Sequence, residues 1–306
     1  MSHAIRYFKA LSDDTRLRLV HVLARYELSV NELVSLLETG QSRISRHLKI
    51  LTEAGLLNSR RDGLWVFYSA VREGEGADFL HAVTPFLTAD MDMRADLAMA
   101  ANILESRALK TRRFFNTMAD YWDTLNNEIM GSFDLPGAVA EALPSPCGVA
   151  VDLGCGTGAV MERLTGRADL LIGVDDSPRM LELARRRLGE QRGVSLRIGE
   201  LGHLPLCDGE ADFACMNLVM HHLSDPEGAL HEIRRVLKRG GVLFLSDFDR
   251  HDQERMRTDY GDRWLGFDRA MLQRFLEGAG FGVVRVQTQP LEHNLTLNMV
   301  LARQEG

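Results

Sequence analysis

Val149-Ala150-Val151-Asp152-Leu153-Gly154-Cys155-Gly156-Thr157-Gly158 is the stretch that decides the fold of this 306-residue chain. It opens as an apolar run of strand length and empties into alternating glycines. Such a run, bounded by turn residues, reads as a buried strand. The glycines after it let backbone approach a ligand that side chains would block. Open α/β sheets bind ligands outside the carboxyl ends of their strands, where a loop of this kind leads into a helix.

Further strand-like runs follow at 170–174, 194–198, 211–216, 242–245, 283–286 and 296–301, with helix-like runs between them, notably 180–188, 227–237 and 269–279. This alternation predicts an α/β fold on a seven-stranded, mostly parallel sheet. The run 170–174 ends in Asp175 and Asp176, and an acid at that place can accept both hydroxyls of a ribose. A glycine triplet alone also occurs in dinucleotide enzymes, so it does not name the ligand.

Upstream the pattern changes. Ala4, Tyr7, Phe8 and Leu11, then Leu17, Val20, His21 and Leu23, recur near helical spacing, with Ser12-Asp13-Asp14 as a cap between them. Ser29 is placed to cap a short helix carrying Leu33, Leu36 and Leu37, Gly40 breaks the chain, and 41–54 forms the next helix, ended by Gly55. Ile44, Leu48 and Leu51 make the inner stripe of that helix, and Gln41, Ser42, Arg43, Ser45, Arg46 and Lys49 its outer face. Two apolar runs then bracket Arg60-Arg61-Asp62-Gly63, in which Asp-Gly signals a hairpin. Helix, turn, helix and ribbon predict a winged helix-turn-helix. Arginine suits guanine edges, glutamine suits adenine, and serine or lysine suit phosphates, so the outer face is a candidate DNA-reading surface with Arg60 and Arg61 on the wing.

Between the two patterns, Gly74 and Gly76 predict a flexible joint, and 88–130 reads as one or two long helices with Leu97, Ala101, Leu104 and Ala108 as an apolar stripe. The expected organisation is a DNA-binding domain over 1–72, a helical linker and candidate dimer seam over 73–130, and a ligand-binding domain over 131–306.

Charge follows the same division. Over 1–72 eleven Lys or Arg stand against seven Asp or Glu, about +4, in a chain of net charge −7, so the remainder carries about −11. No apolar stretch approaches membrane-spanning length, and the first residues have no apolar signal-like core. The four cysteines, at 147, 155, 207 and 215, have no metal-ligand spacing and suit a reducing cytoplasm, so a cytoplasmic protein without a metal is expected.

The motifs from Asp152 to Gly158 and from Gly173 to Leu181, Glu200 with Leu204-Pro205-Leu206, and Ala211-Asp212-Phe213 followed by Asn217 resemble the ordered motifs of class I S-adenosylmethionine-dependent methyltransferases. The resemblance covers roughly 112–306. It implies a Rossmann-like domain holding S-adenosylmethionine or S-adenosylhomocysteine through Asp152, Gly154, Cys155, Gly156, Gly158, Asp175, Asp176, Glu200, Leu201 and Asn217. In it Gly154 meets the amino-acid part of the ligand, Asp175 the ribose, Glu200 and Leu201 the adenine edge, and Asn217 the methionyl side. Glu200 stands where an aspartate is commoner. Phe114-Phe115 and Tyr121-Trp122 resemble the aromatic segment that lids such domains and serve equally well as core. His221-His222 invites a catalytic-base reading, although such a pair at a strand-to-helix corner is more often packing. No residue names a methyl acceptor.

Ala10-Leu11-Ser12-Asp13-Asp14-Thr15-Arg16-Leu17-Arg18-Leu19, with the run from Ser45 to Leu57, resembles the ArsR family of winged-helix repressors over residues 1 to about 72. That resemblance implies a homodimer on pseudo-palindromic operator DNA. Many such repressors sense metals through cysteines in the helix before the turn, and this module has no cysteine. The combination resembles regulators of methionine and methyl-cycle genes that respond to S-adenosylhomocysteine. The expected function is therefore a repressor with an S-adenosylhomocysteine- or S-adenosylmethionine-sensing domain. The alternative is an active small-molecule methyltransferase with an appended DNA-binding domain.

Overall fold

In the computed structural model, which describes residues 3–88 and 90–305, contacts gather the chain into two units, Met1–Arg107 and Ala108–Gly306. The first opens with α1 (His3–Leu11), α2 (Asp14–Leu23), β1 (Leu28–Ser29), α3 (Val30–Leu37) and α4 (Gln41–Ala54). Its caps are the ones the sequence signals. Asp13 accepts from the Arg16 N–H at the start of α2, and Ser29 and Glu32 form a reciprocal capping box at the start of α3. The break between α3 and α4 is made differently from expectation: Glu38 takes the left-handed conformation at φ 48°, whereas Gly40 has φ −58° and caps α4. Gly55, at φ 81°, ends α4 as predicted.

β2 (Leu57–Asp62) and β3 (Trp65–Ala70) form the wing, in a three-stranded antiparallel sheet of order β1-β3-β2. Asp62 pairs with Trp65, which leaves Gly63 and Leu64 as the turn, one residue later than expected, because Asp62 is buried in the ladder. Gly74 and Gly76 do not form a joint. Both lie in α5 (Gly74–Leu87), and a Cβ on Gly76 would overlap the Gly55 carbonyl, so the glycine is there for close packing. The next helix, α6 (Met91–Met118), buries Met93, Asp96 and Ala100, with Leu97 and Ile103 against the same core; Ala101 faces outward, so the stripe is rotated from the expected one. Asp96 is buried because Arg18 meets it with two hydrogen bonds of 2.6 Å.

The second unit takes the rest of α6 and continues through α7 (Trp122–Met130), α8 (Leu135–Ala142), β4 (Val149–Leu153), α9 (Ala159–Leu164), β5 (Leu170–Asp175), α10 (Pro178–Leu188), β6 (Val194–Ile198) and β7 (Ala211–Asn217). It ends with α11 (Pro226–Val236), β8 (Leu237–Phe248), α12 (Arg255–Asp259), α13 (Arg269–Gly278), β9 (Phe281–Pro290) and β10 (Thr296–Gln304). The strands form one seven-stranded sheet of order β6-β5-β4-β7-β8-β10-β9, parallel except for β10, which runs antiparallel to β8 and β9. This is the mostly parallel Rossmann-like sheet that the alternation predicts. β4 and β7 are central in the sheet and almost wholly buried, which is why apolar residues dominate them around Asp152 and Asp212. Val139, Met161, Leu164 and Leu181 pack in one core, and Leu230, Ile233, Leu272 and Leu276 in another. Ser177 and Asp225 cap α10 and α11, each followed by a proline at the first helical position, where no N–H is needed.

Phe213, fully buried at the centre of β7, should be the costliest kind of truncation here. Phe213→Ala is expected to lower stability by about 3–5 kcal/mol, read as a shift in the urea midpoint followed by far-ultraviolet circular dichroism.

Candidate functional site

At the carboxyl ends of β4, β5 and β7 the second unit holds a cavity of about 770 Å³. Sites for small molecules usually measure ~300–1,000 Å³. Asp152, Gly154, Cys155, Gly156, Asp175, Asp176, Glu200, Leu201 and Asn217, all predicted from sequence, line it. Gly158 does not. At φ 83° it caps α9, and its Cβ position lies 3.2 Å from Ala184, so it serves packing of the loop on α10.

The glycine loop and β5 are locked together by backbone bonds. Gly154 and Cys155 both donate to the Val174 carbonyl, at 2.8 and 3.0 Å. Gly154 and Gly156 have φ of 71° and 51°, a left-handed region closed to most side chains. Gly156 N–H then donates to Asp175 Oδ2, and Ser177 N–H to Oδ1, each at 2.9 Å. A carboxylate oxygen has two lone pairs, so Asp175 retains capacity for two hydroxyl donors. Burial pushes its pKa up to about 6 in spite of these two bonds. Burial also raises Asp152 to about 7, although Cys215 Sγ lies 3.3 Å from it as a donor.

The lining residues are held by groups the sequence did not announce. Arg112 on α6 donates from Nε to Asp176 at 3.2 Å and from Nη2 to Glu200 at 2.6 Å. Asn116, one turn on, accepts from the Ser177 hydroxyl at 2.7 Å. Thr157 donates to Asp123 at 2.6 Å and accepts from Arg187 at 2.9 Å, which ties α7 to the glycine loop. These partners are scattered along the sequence, and local pattern carries no signal for them. Of the four aromatics, Phe115 and Trp122 line the cavity, with Trp122 Nε1 lying 3.9 Å from the Cβ position of Gly156; Phe114 packs on Gly261, and Tyr121 is exposed. Asn217 accepts from the Ser246 hydroxyl at 2.8 Å, while its buried Nδ2 has no partner among the described residues. His222 also lines the cavity.

In the first unit, Gln41, Ser42, Arg43, Ser45, Arg46 and Lys49 are all exposed on α4, with Ile44, His47, Leu48 and Leu51 buried beneath. That is one polar, basic helix face over an apolar one. Arg61 is exposed, but Arg60 is committed elsewhere: it pairs with Glu27 at 2.9 Å and Asp62 at 2.8 Å, and sits 4.8 Å from the centroid of the Phe67 ring. Among the described residues no helix is long and apolar enough to cross a membrane.

Comparison with known proteins gives each unit its relatives. Residues 13–59 match the arsR family of bacterial regulatory proteins, and residues 151–245 match the methyltransferase domain. The arsenic resistance transcriptional regulator ArsR1 of Pseudomonas putida is 55% identical over 62 residues, 20% of this chain and 48% of that protein. The demethylmenaquinone methyltransferase of Corynebacterium kroppenstedtii is 31% identical over 153 residues, 49% of this chain and 65% of that protein. The chain thus spans less than two thirds of the length of either relative. The crystal structure of the 4+2 cyclase SpnF superposes with a TM-score of 0.55 at 18% identity, over 63% of this chain and 94% of that one, a likeness in fold alone. A methyltransferase domain implies S-adenosylmethionine binding, and the residues present fit it: a carboxylate with spare acceptor capacity, a loop open to close approach, and an unpartnered amide donor. The chain joins an arsR-type helix-turn-helix module to a methyltransferase domain of Rossmann-like fold.

Proposed function

We propose that this chain is a cytoplasmic transcriptional regulator, acting as a dimeric repressor on operator DNA, whose methyltransferase-type domain senses S-adenosylhomocysteine or S-adenosylmethionine. Its targets would be genes of methionine and methyl-group supply. Gly154 and Asn217 would hold the amino-acid part of the ligand, Asp175 the ribose, and Glu200 with Leu201 the adenine edge. Gln41, Ser42, Arg43, Ser45, Arg46, Lys49 and Arg61 would meet DNA.

One observation carries this reading. The unbroken helix α6 holds an ion pair with each candidate site's own framework. Within the first unit, Arg107 pairs with Glu32, the acid of the capping box that starts α3 in the helix-turn-helix. Within the second, Arg112 on the same helix pairs with Asp176 and Glu200 on the cavity wall. A ligand that draws Glu200 or Asp176 to itself competes with Arg112. The pairs at Arg112 are part-exposed, so each is worth about 0–1 kcal/mol. Their loss therefore supports a response of about tenfold in DNA affinity, for which 1.4 kcal/mol suffices. Reversing a two-state population from 1:99 to 99:1 would take about 5.5 kcal/mol.

Titration of labelled DNA from the protein's own upstream region, at fixed salt with and without each ligand, tests this. Asp175→Ala should abolish the response and leave DNA binding intact. Arg112→Ala should keep both binding events, measured separately, and lose most of the coupling. A normal response in Asp175→Ala would overturn the site, and ligand-independent DNA binding by the wild type would overturn the switch.

The same titration separates the basic groups. Arg46→Ala is expected to weaken DNA binding by about 1–3 kcal/mol. Arg60→Ala should change it less than about threefold while lowering the midpoint of urea unfolding, because its charge is already paired.

Ligand binding should also depend on pH. Asp175 must be ionised to accept two hydroxyls, and its pKa is near 6 before ligand binds. Affinity for S-adenosylhomocysteine should therefore hold above pH 7 and fall by up to about tenfold per unit below pH 6, measured by calorimetry. The linkage to stability has the opposite sense. For Asp175 and Asp152, raised to about 6 and 7, the stabilising contribution is complete below the ordinary carboxylate range and is lost as pH rises through those values. The ligand-induced rise in melting temperature should accordingly be larger at pH 8 than at pH 5.5.

A further inference from the structure

Beyond β7 the short turn Met220–His222 sets two histidines side by side, with ring centroids 4.0 Å apart. Asp262 reaches them from the loop after α12. A ring nitrogen of each histidine and a carboxylate oxygen of Asp262 lie within 4.8 Å of one another, and all three residues are buried. Nε2 of His221 and Oδ1 of Asp262 are 3.5 Å apart. Two ligand bonds of zinc length, meeting at a tetrahedral angle, set their outer atoms about 3.3–3.5 Å apart. A void of about 10 Å³, room for roughly one water-sized sphere, adjoins His221 and Asp262.

Both rings are fixed through their other nitrogen. His221 Nδ1 lies 2.7 Å from Asp247 Oδ1, and His222 Nδ1 lies 3.2 Å from the Gly261 carbonyl oxygen. Those oxygens accept, so each Nδ1 carries a hydrogen, and Nε2 is the nitrogen left for a ligand bond. Histidines that bind metal almost always donate their second N–H to a carboxylate or a backbone carbonyl in this way. His222 Nε2 is buried and has no partner among the described residues. The loop bearing Asp262 is tied to the same turn. The N–H groups of Arg263 and Trp264 both donate to the His221 carbonyl at 2.9 Å, and Trp264 Nε1 donates to the Leu223 carbonyl at 2.9 Å. Backbone bonds thus bring the three donors together.

We propose that this domain binds one divalent transition-metal ion of the zinc type through His221, His222 and Asp262, with Asp247 orienting the His221 ring. The proposal does not depend on the adenosyl-site reading. Imidazole with carboxylate suits zinc, whereas magnesium and calcium take oxygen donors and softer ions take thiolate. The group contains no cysteine. Without a cation the two carboxylates outweigh burial and keep His221 protonated, with its pKa held at about 9. The cation takes the place of the Nε2 proton, which leaves to solvent. Because His222 also lines the cavity, the bound ion would fix one of its walls.

The test titrates the full chain, stripped with a chelator, with cobalt(II) as an optical stand-in for zinc. Wild type should develop visible d–d bands that saturate at one cobalt per chain, with no thiolate charge-transfer band in the near ultraviolet, and zinc should abolish them. His222→Gln and Asp262→Asn should lose the bands. Asp247→Asn leaves all three ligands in place, so it should keep the bands and weaken affinity by about 10–100-fold. Far-ultraviolet circular dichroism checks that each variant folds. X-ray absorption of zinc-loaded wild type needs no variant: a shell of nitrogen and oxygen with imidazole scattering supports the site, and sulfur in that shell overturns it. Absence of the bands in wild type overturns the proposal, as does wild-type cobalt binding in both ligand variants. Unchanged affinity in Asp247→Asn overturns its orienting role.

Discussion

Asp175 is held at the end of β5 by two backbone N–H groups, one from the turn after β4 and one from Ser177, the residue that caps α10. A single side chain thus positions the glycine loop against the second strand–helix turn, and the cavity lies between them. Gly156 can aim its N–H at that carboxylate because its backbone sits in the left-handed region. Burial opposes the arrangement, raising Asp175 to about 6 and its neighbour Asp152 to about 7. At neutral pH the fold therefore carries an electrostatic cost at these two carboxylates. Such a cost is tolerated where the surrounding structure over-determines the geometry, as the parallel pairing of β4 with β5 does here.

α6 is unlike the other helices in what it buries. Its inner stripe includes a carboxylate, Asp96, met by Arg18, and its later turns carry Arg107 and Arg112, each committed to acids far away in the chain. A helix packed only by apolar contact tolerates small rotations at little cost. One held by bidentate arginine pairs has preferred positions, because the planar fork loses both bonds together. The pairs are partly in water, which limits what each contributes.

The histidine pair shows how identical side chains in adjacent positions acquire opposite chemistry. Asp247 and Asp262 make one an imidazolium, and that charge, with burial, keeps the other neutral. The Gly261 carbonyl then selects its tautomer and leaves Nε2 bare.

Much of the fold was legible in sequence. Strand and helix periods, the caps Asp13 and Ser29, and the glycine loop depend on neighbours within a few residues, so position along the chain suffices to read them. The same holds for the exposed face of α4, whose outer and inner residues follow from helical spacing. Tertiary structure decided the rest. Gly76 reads as a joint and is a packing contact; Glu38, not Gly40, takes the left-handed turn; Arg60 reads as a wing contact and is neutralised by Glu27 and Asp62. Arg112 carried no local signal, and the His221-His222 pair was visible without its state, since the partners Asp176, Glu200 and Gly261 lie far along the chain. Periodicity and capping are short-range physics written into adjacent residues, whereas the state of an ionisable or hydrogen-bonding group depends on which distant charges and carbonyls the packed chain brings to it.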